Sequence, residues 1–177
     1  MNHHPRALRS SSVAILITGQ VGHFWKASPG HSSKAPKRKT LFLDIDGVLH
    51  PNFPAPNQAF SHAPKLAETL AGSNVQIIIS SSWRFDRTLA ELQALLPKGL
   101  AERVVGTTGE LHEGLHQRWN EICETVSHHG IIDWRVLDDS KFEFPSNGCP
   151  ELILCDGRIG LAEPQCAEVA RWLNLPD

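Results

Sequence analysis

Acidic residues are missing from the first forty positions, where seven basic side chains (Arg6, Arg9, Lys26, Lys34, Lys37, Arg38 and Lys39) stand unopposed. The whole chain has 177 residues and a formal net charge of -2. Residues 41–177 therefore hold the other 10 basic and all 19 acidic residues, a balance of -9. Long apolar runs are missing too. The longest, Val13 to Ile17, is far too short to span a bilayer, and no small-residue cleavage pattern follows it. Neither a membrane span nor a secretion signal is expected. The four cysteines (Cys123, Cys149, Cys155 and Cys166) form no C-x-x-C pair and no zinc-ligand spacing. They read as reduced thiols of a cytoplasmic protein rather than a disulfide framework. There is no internal repeat. The whole chain is 41% hydrophobic and 20% charged, which is unlike a disordered chain, and its length fits one domain, or two small ones.

Residues 1–39 lack a sustained period and are expected to form a basic, disordered N-terminal tail ahead of a domain over residues 40–177. Within the tail, Val13 to Gly22 resembles the strand-and-glycine opening of a dinucleotide-binding unit. The third glycine and the following helix are missing, so the likeness carries little weight. From Thr40 the pattern changes. Leu41–Leu43, Val75–Ile79, Arg103–Val105, Trp134–Leu137 and Leu152–Leu154 read as five buried strands. Between them lie a helix capped by Ser61, a helical face of Phe85, Leu89, Leu92 and Leu96, and a stripe of Leu115, Trp119, Ile122 and Val126. Cys166, Val169, Ala170 and Leu173 mark a last amphipathic helix. Apolar strands alternating with helices predict an α/β layer fold with a mainly parallel sheet.

In such sheets ligands bind beyond the carboxyl ends of the strands. Three of the predicted strands deliver polar residues there: Asp44 and Asp46, Ser80 to Ser82, and Asp138 with Asp139. Four carboxylates at one edge repel one another unless a cation joins them. Hard oxygen ligands without a Cys or His cluster suit Mg²⁺.

The residues also resemble a family. Leu41-Phe42-Leu43-Asp44-Ile45-Asp46-Gly47-Val48-Leu49 is similar to the first motif of the haloacid dehalogenase (HAD) superfamily, an apolar strand followed by D-x-D-G. Ile77-Ile78-Ile79-Ser80 resembles the second motif, Arg118 the basic third, and Val136-Leu137-Asp138-Asp139 the fourth. One D-x-D-G is weak evidence; four motifs in order are strong. Ser80-Ser81-Ser82-Trp83-Arg84, Arg118-Trp119-Asn120-Glu121-Ile122 and Gly160-Leu161 look closest to the HAD domain of Swiss Army Knife RNA repair proteins. The resemblance implies a three-layer, Rossmann-like fold. It also implies a hydrolase in which Asp44 forms an aspartyl-phosphate and Asp46 serves as acid, then base. Mg²⁺ would sit among Asp44, the Asp46 main-chain carbonyl, Asp138 and Asp139. Ser80 and Arg118 would hold phosphoryl oxygens, and backbone N–H groups at the Gly47 turn would approach the phosphate. Ser81 is an alternative to Ser80. Which of Asp138 and Asp139 meets the metal stays open.

Other features have competing readings. His112-Glu113-Gly114-Leu115-His116 matches H-E-x-x-H, but Gly114 weakens a helix and no third ligand stands at a familiar spacing, so a polar loop is expected. Arg84 can bind a second phosphate or be solvated. Trp83 can be a stacking platform or a core-edge ring. His50 can line the pocket mouth, but an exposed loop histidine is the more common outcome. Arg87 and Glu91 read as a solvated helix face.

No segment between the motifs is long enough for a folded cap, so accessible phosphates such as nucleic-acid termini are the expected substrates. No membrane and no obligate protein partner is inferred. The competing function is a non-catalytic phosphate-binding or interaction module that keeps the fold. The acidic balance of the domain argues against tight binding of long nucleic acid through the domain alone. The basic segment is thus either a tether for an anionic substrate or a dispensable extension. Deleting residues 1–38 and measuring oligonucleotide turnover against salt decides: loss of a tether makes the salt slope shallower, and an unchanged rate and slope rule a tether out.

Overall fold

Residues 38–174 are described in a computed structural model of the chain. The expected tail and its Val13–Gly22 stretch, up to residue 37, lie outside the described residues. Five strands, β1 (Thr40–Leu43), β2 (Gln76–Ile79), β3 (Val104–Thr107), β4 (Trp134–Asp138) and β5 (Leu152–Leu154), pair in the order β3-β2-β1-β4-β5. Every pairing is parallel.

Side-chain alternation divides the core into two layers. Leu41, Leu43, Ile77, Ile79, Leu137 and Ile153 share one face of the sheet. It is covered by α1 (Ala63–Thr69), α2 (Leu89–Ala94), α3 (Lys98–Ala101) and α5 (Glu163–Asn174), through Leu66, Leu92, Leu100 and Val169. Phe42, Ile78 and Val136 point the other way, onto Ile122 of α4 (Gln117–His129) and onto Phe144. All four residues of β1 are buried, as a central strand covered on both faces requires. The expected three-layer α/β architecture is present. Between β1 and β2 stands only α1, so no large cap intervenes. No helix among the described residues is long and apolar enough to cross a membrane.

Local chemistry shifts three element boundaries. The first helix begins at Ala63 with Pro64 in its first turn. His62, not Ser61, precedes it and makes no side-chain cap bond. The expected helix from Phe85 to Leu96 is two pieces, a 3₁₀ turn over Ser82–Phe85 and α2. Thr88 separates them with a capping box: its hydroxyl accepts from the Glu91 N–H, and the Glu91 carboxylate accepts from the Thr88 N–H. Phe85 accordingly lies outside the α2 face and is half-exposed. Leu115 is 83% exposed and precedes α4, because Gly114 (φ +97°) and His116 (φ +56°) turn the backbone before the helix starts.

Leu66, fully buried on α1, anchors that helix to the sheet. Leu66→Ala should lower unfolding free energy by about 2–5 kcal/mol in urea titrations. A loss under about 1 kcal/mol would mean that α1 contributes little to the core.

Candidate active site

The sheet register brings the site together. Leu43 of β1 is level with Ile79 of β2 and Leu137 of β4, so the next residue on each strand, Asp44, Ser80 and Asp138, reaches the same edge. The ladder continues through them: Asp44 N–H donates to the Leu137 carbonyl and Ser80 N–H to that of Leu43. After β2 and β3 are laid on one side of β1, the chain crosses to the other side for β4. Asp44 and Asp138 therefore flank the topological switch point, where open α/β sheets bind ligands.

Asp44, Asp138 and Asp139 place carboxylate oxygens within 4.8 Å of one another. Arg118, in the first turn of α4, comes over from the other layer. Its Nη1 lies 2.7 Å from Asp138 Oδ2 and 3.2 Å from Asp44 Oδ2. Asp44 Oδ1 accepts the Ile45 N–H, and Asp138 Oδ1 accepts that of Ser140. Burial raises the Asp44 carboxyl above its ordinary range, against the pull of Arg118 and a Ser81 hydrogen bond. Burial first, and the Asp44 charge second, push Asp138 up to about 7. Burial works to lower the Arg118 pKa, yet Asp44 and Asp138 together raise it. One guanidinium thus offsets three crowded carboxylates only in part. The donor set is all hard oxygen, which fits Mg²⁺ or a similar cation.

Asp139 is held from a different direction. Asn52, in the loop after β1, donates its side-chain amide to Asp139 Oδ2 at 2.7 Å. Gly47 (φ +67°) and Gly157 press against the same groups, and a Cβ on either would collide with the Asp139 carboxylate and Asn52. The Gly47 turn expected from sequence is therefore in place. Asn52 and Gly157 carry no sequence signal that would have singled them out.

Asp46 stands apart from the carboxylate cluster, and its side chain is 42% exposed. Trp83 Nε1–H donates to its Oδ2 at 2.8 Å, and His50 Nε2 lies 3.8 Å from its Oδ1. His50 is buried, so it is neither an exposed loop histidine nor at an open mouth. Ser80 Oγ is buried and has no hydrogen-bond partner, and neither has Thr108 Oγ1 at the end of β3. Ser81 Oγ instead accepts the Trp83 N–H and bonds to Asp44. Thr108 N–H donates to the Ile79 carbonyl, and no sequence motif marks this residue.

Arg84 faces inward. Its Nη2 lies 2.6 Å from Glu121 Oε2, its Nε donates to the Gly109 carbonyl, and its Nη1 donates to that of Ser81. Both side chains of the ion pair are nearly inaccessible. The guanidinium therefore ties the loops after β2 and β3 to α4. Burial lowers the Arg84 pKa and raises that of Glu121, as expected for a pair removed from water. Neither end of H-E-x-x-H forms a metal pair: His112 bonds to Glu124 at 2.9 Å, and His116 meets the Phe142 carbonyl at 3.1 Å. The segment is the expected polar loop.

The raised Asp138 pKa has a stability consequence. In the unfolded chain this carboxyl titrates near its ordinary 3.8, and in the folded chain near 7. Between these values the folded state holds the extra proton, so stability falls as pH rises. The penalty is absent below about 3.8 and complete above about 7. Urea unfolding in chelator should show this decline, and Asp138→Asn should flatten it. Equal slopes for both proteins would refute the assignment.

Comparison with known proteins agrees with this architecture. No curated protein and no solved structure matches the chain. Residues 40–166, which include every residue of the carboxylate cluster together with Ser80 and Arg118, match the family described as the HAD domain in Swiss Army Knife RNA repair proteins, and the chain belongs to that family.

Proposed function

We propose that the protein is a Mg²⁺-dependent phosphomonoesterase that works through an aspartyl-phosphate on Asp44 and acts on accessible phosphates, nucleic-acid termini among them. The observation that carries this reading is the convergence of Asp44, Asp138 and Asp139 within 4.8 Å, bridged by Arg118, at the switch point of a HAD-family sheet. Asp44, Asp138, Asp139 and the Asp46 main-chain carbonyl would hold the metal. Bound Mg²⁺ lowers the repulsion between an anionic nucleophile and an anionic ester and polarises the phosphoryl group.

The residues divide the reaction into two displacements. A carboxylate oxygen of Asp44 attacks phosphorus; the Asp44–phosphorus bond forms as the ester P–O bond breaks. Asp46 gives its proton to the departing alkoxide oxygen. Water then attacks the phosphorus, Asp46 takes a proton from it, and the bond to Asp44 breaks to release phosphate. The Arg118 guanidinium, the Ser80 hydroxyl and backbone N–H groups near Gly47 hold the phosphoryl oxygens where charge builds up. Arg118 already bonds to Asp44, so it can orient the nucleophile as well as the phosphate. The unpartnered Ser80 hydroxyl is free for a phosphoryl oxygen.

Substrate choice follows from the connections. The segment between β1 and β2 holds one seven-residue helix, and that between β2 and β4 holds elements of the core. Nothing there encloses a small metabolite, whereas a phosphate at the end of a large molecule can enter. The family's description, which refers to RNA repair, supports the same substrate class.

The decisive measurement is turnover of 4-nitrophenyl phosphate with Mg²⁺ and with EDTA, beside Asp44→Asn. Activity should require the metal, and Asp44→Asn should lose at least about 1,000-fold. A wild-type rate for Asp44→Asn would remove the nucleophile, and an inert wild type would favour a binding module. 3′- or 5′-phosphorylated oligonucleotides should be hydrolysed faster than sugar phosphates, and the reverse order would refute the substrate class.

A further inference from the structure

Trp83 follows the three serines directly, in the 3₁₀ turn Ser82–Phe85, and its indole N–H reaches Asp46 Oδ2 at 2.8 Å. An indole N–H can only donate. Oδ2 is therefore fixed as an acceptor, and a proton carried by Asp46 for transfer belongs on Oδ1. The carboxyl is 42% exposed and His50 Nε2, at 3.8 Å from Oδ1, is beyond hydrogen-bond distance, so the indole bond is what restrains its rotamer.

The donor is itself held in place. Phe60 meets Trp83 edge-on at 5.5 Å and His50 edge-on at 5.4 Å, and His50 and Trp83 lie 6.2 Å apart. The Arg87 guanidinium covers the Trp83 ring at 4.1 Å. His50 is anchored in turn, because its Nδ1 lies 3.0 Å from the Pro51 carbonyl, which can only accept. A ring cluster thus backs one hydrogen bond to the side chain that moves protons in the proposed reaction.

We infer that Trp83 is a positioning residue: its Nε1–H holds the Asp46 carboxyl so that Oδ1 is presented to the departing ester oxygen. The inference rests on the reading of Asp46 as the acid. In the first step the Asp44–phosphorus bond forms, the ester P–O bond breaks, and the Oδ1 proton goes to the alkoxide. An alkoxide needs that proton to leave. A 2,4-dinitrophenolate does not, although Asp44 attacks both substrates in the same way.

The test compares kcat/KM for a simple alkyl phosphate and for 2,4-dinitrophenyl phosphate, since kcat/KM reports the step in which the leaving group departs. Trp83→Phe keeps a ring against Phe60 and His50 and removes the donor together with part of the indole surface under Arg87. It should lower the alkyl value by about 10- to 100-fold and the dinitrophenyl value by less than about threefold. Added to Asp46→Asn, it should cost nothing further. Equal losses on both substrates, or an undiminished loss in the Asp46→Asn background, would overturn the inference. The ¹⁵N-labelled indole resonance of Trp83 gives a readout without turnover, and Trp83→Tyr can assign it should Trp83→Phe not fold. It should move in Asp46→Asn, and an unmoved resonance would overturn the hydrogen bond. Asp44→Asn separates the two levels. If it is inactive while Trp83→Phe shows no leaving-group dependence, positioning alone fails. If it keeps wild-type turnover, the proposed reaction fails and the inference with it.

Discussion

Repulsion between Asp44 and Asp138 is the constraint around which the rest of the structure is arranged. Parallel pairing of β1 and β4 puts both carboxyls at one level of one edge, and Asp138 is completely buried there. Such a pair is tolerable only with positive charge nearby or with a proton retained. Arg118 supplies the charge from α4, on the far layer, so the position of that helix is an electrostatic requirement as well as a packing one. Two contacts keep it there. The Glu143 carboxylate accepts the Arg118 backbone N–H at 3.2 Å, and Glu121, one turn further along, meets Arg84. Breaking the buried Arg84–Glu121 pair would leave an uncompensated charge next to the site.

The second constraint is steric. The loop after β1 and the turn after β5 close on Asp139 from both sides, with Gly47 and Gly157 as the points of closest approach. Asn52 ties these loops together: its side-chain amide holds Asp139, and its backbone N–H donates to the Gly157 carbonyl at 2.8 Å. The two aspartates of the fourth motif consequently have different environments. Asp138 is bonded to a cation and a backbone N–H, whereas Asp139 is partly accessible and held by a neutral amide. A neutral partner leaves the Asp139 charge available to a ligand.

Much of this was legible in sequence because strand-end chemistry is local. Apolar runs ending in Asp44, Ser80 and Asp138 imply both the strands and the edge where their ends meet, and the five-stranded parallel sheet bears that out. Boundaries were less legible where a capping residue overrode periodicity, as Thr88 does ahead of α2, or where positive φ stopped a helix from extending, as at Gly114 and His116. Leu115 matches the helical stripe in spacing, yet it is largely exposed for that reason.

By itself, the sequence determined the α/β class, the order of the motifs and the identity of the acidic, hydroxyl and basic groups at the strand ends. These depend on short-range patterns, namely period-two burial, apolar runs and the residue that ends each run. Tertiary structure alone decided the partners. It turned Arg84 inward onto Glu121, bonded Ser81 rather than Ser80 to Asp44, and brought Trp83 to Asp46 and Asn52 to Asp139 across 37 and 87 residues of chain. Donor geometry at such separations depends on how helices and loops from different layers pack over one sheet edge, and no local pattern encodes that.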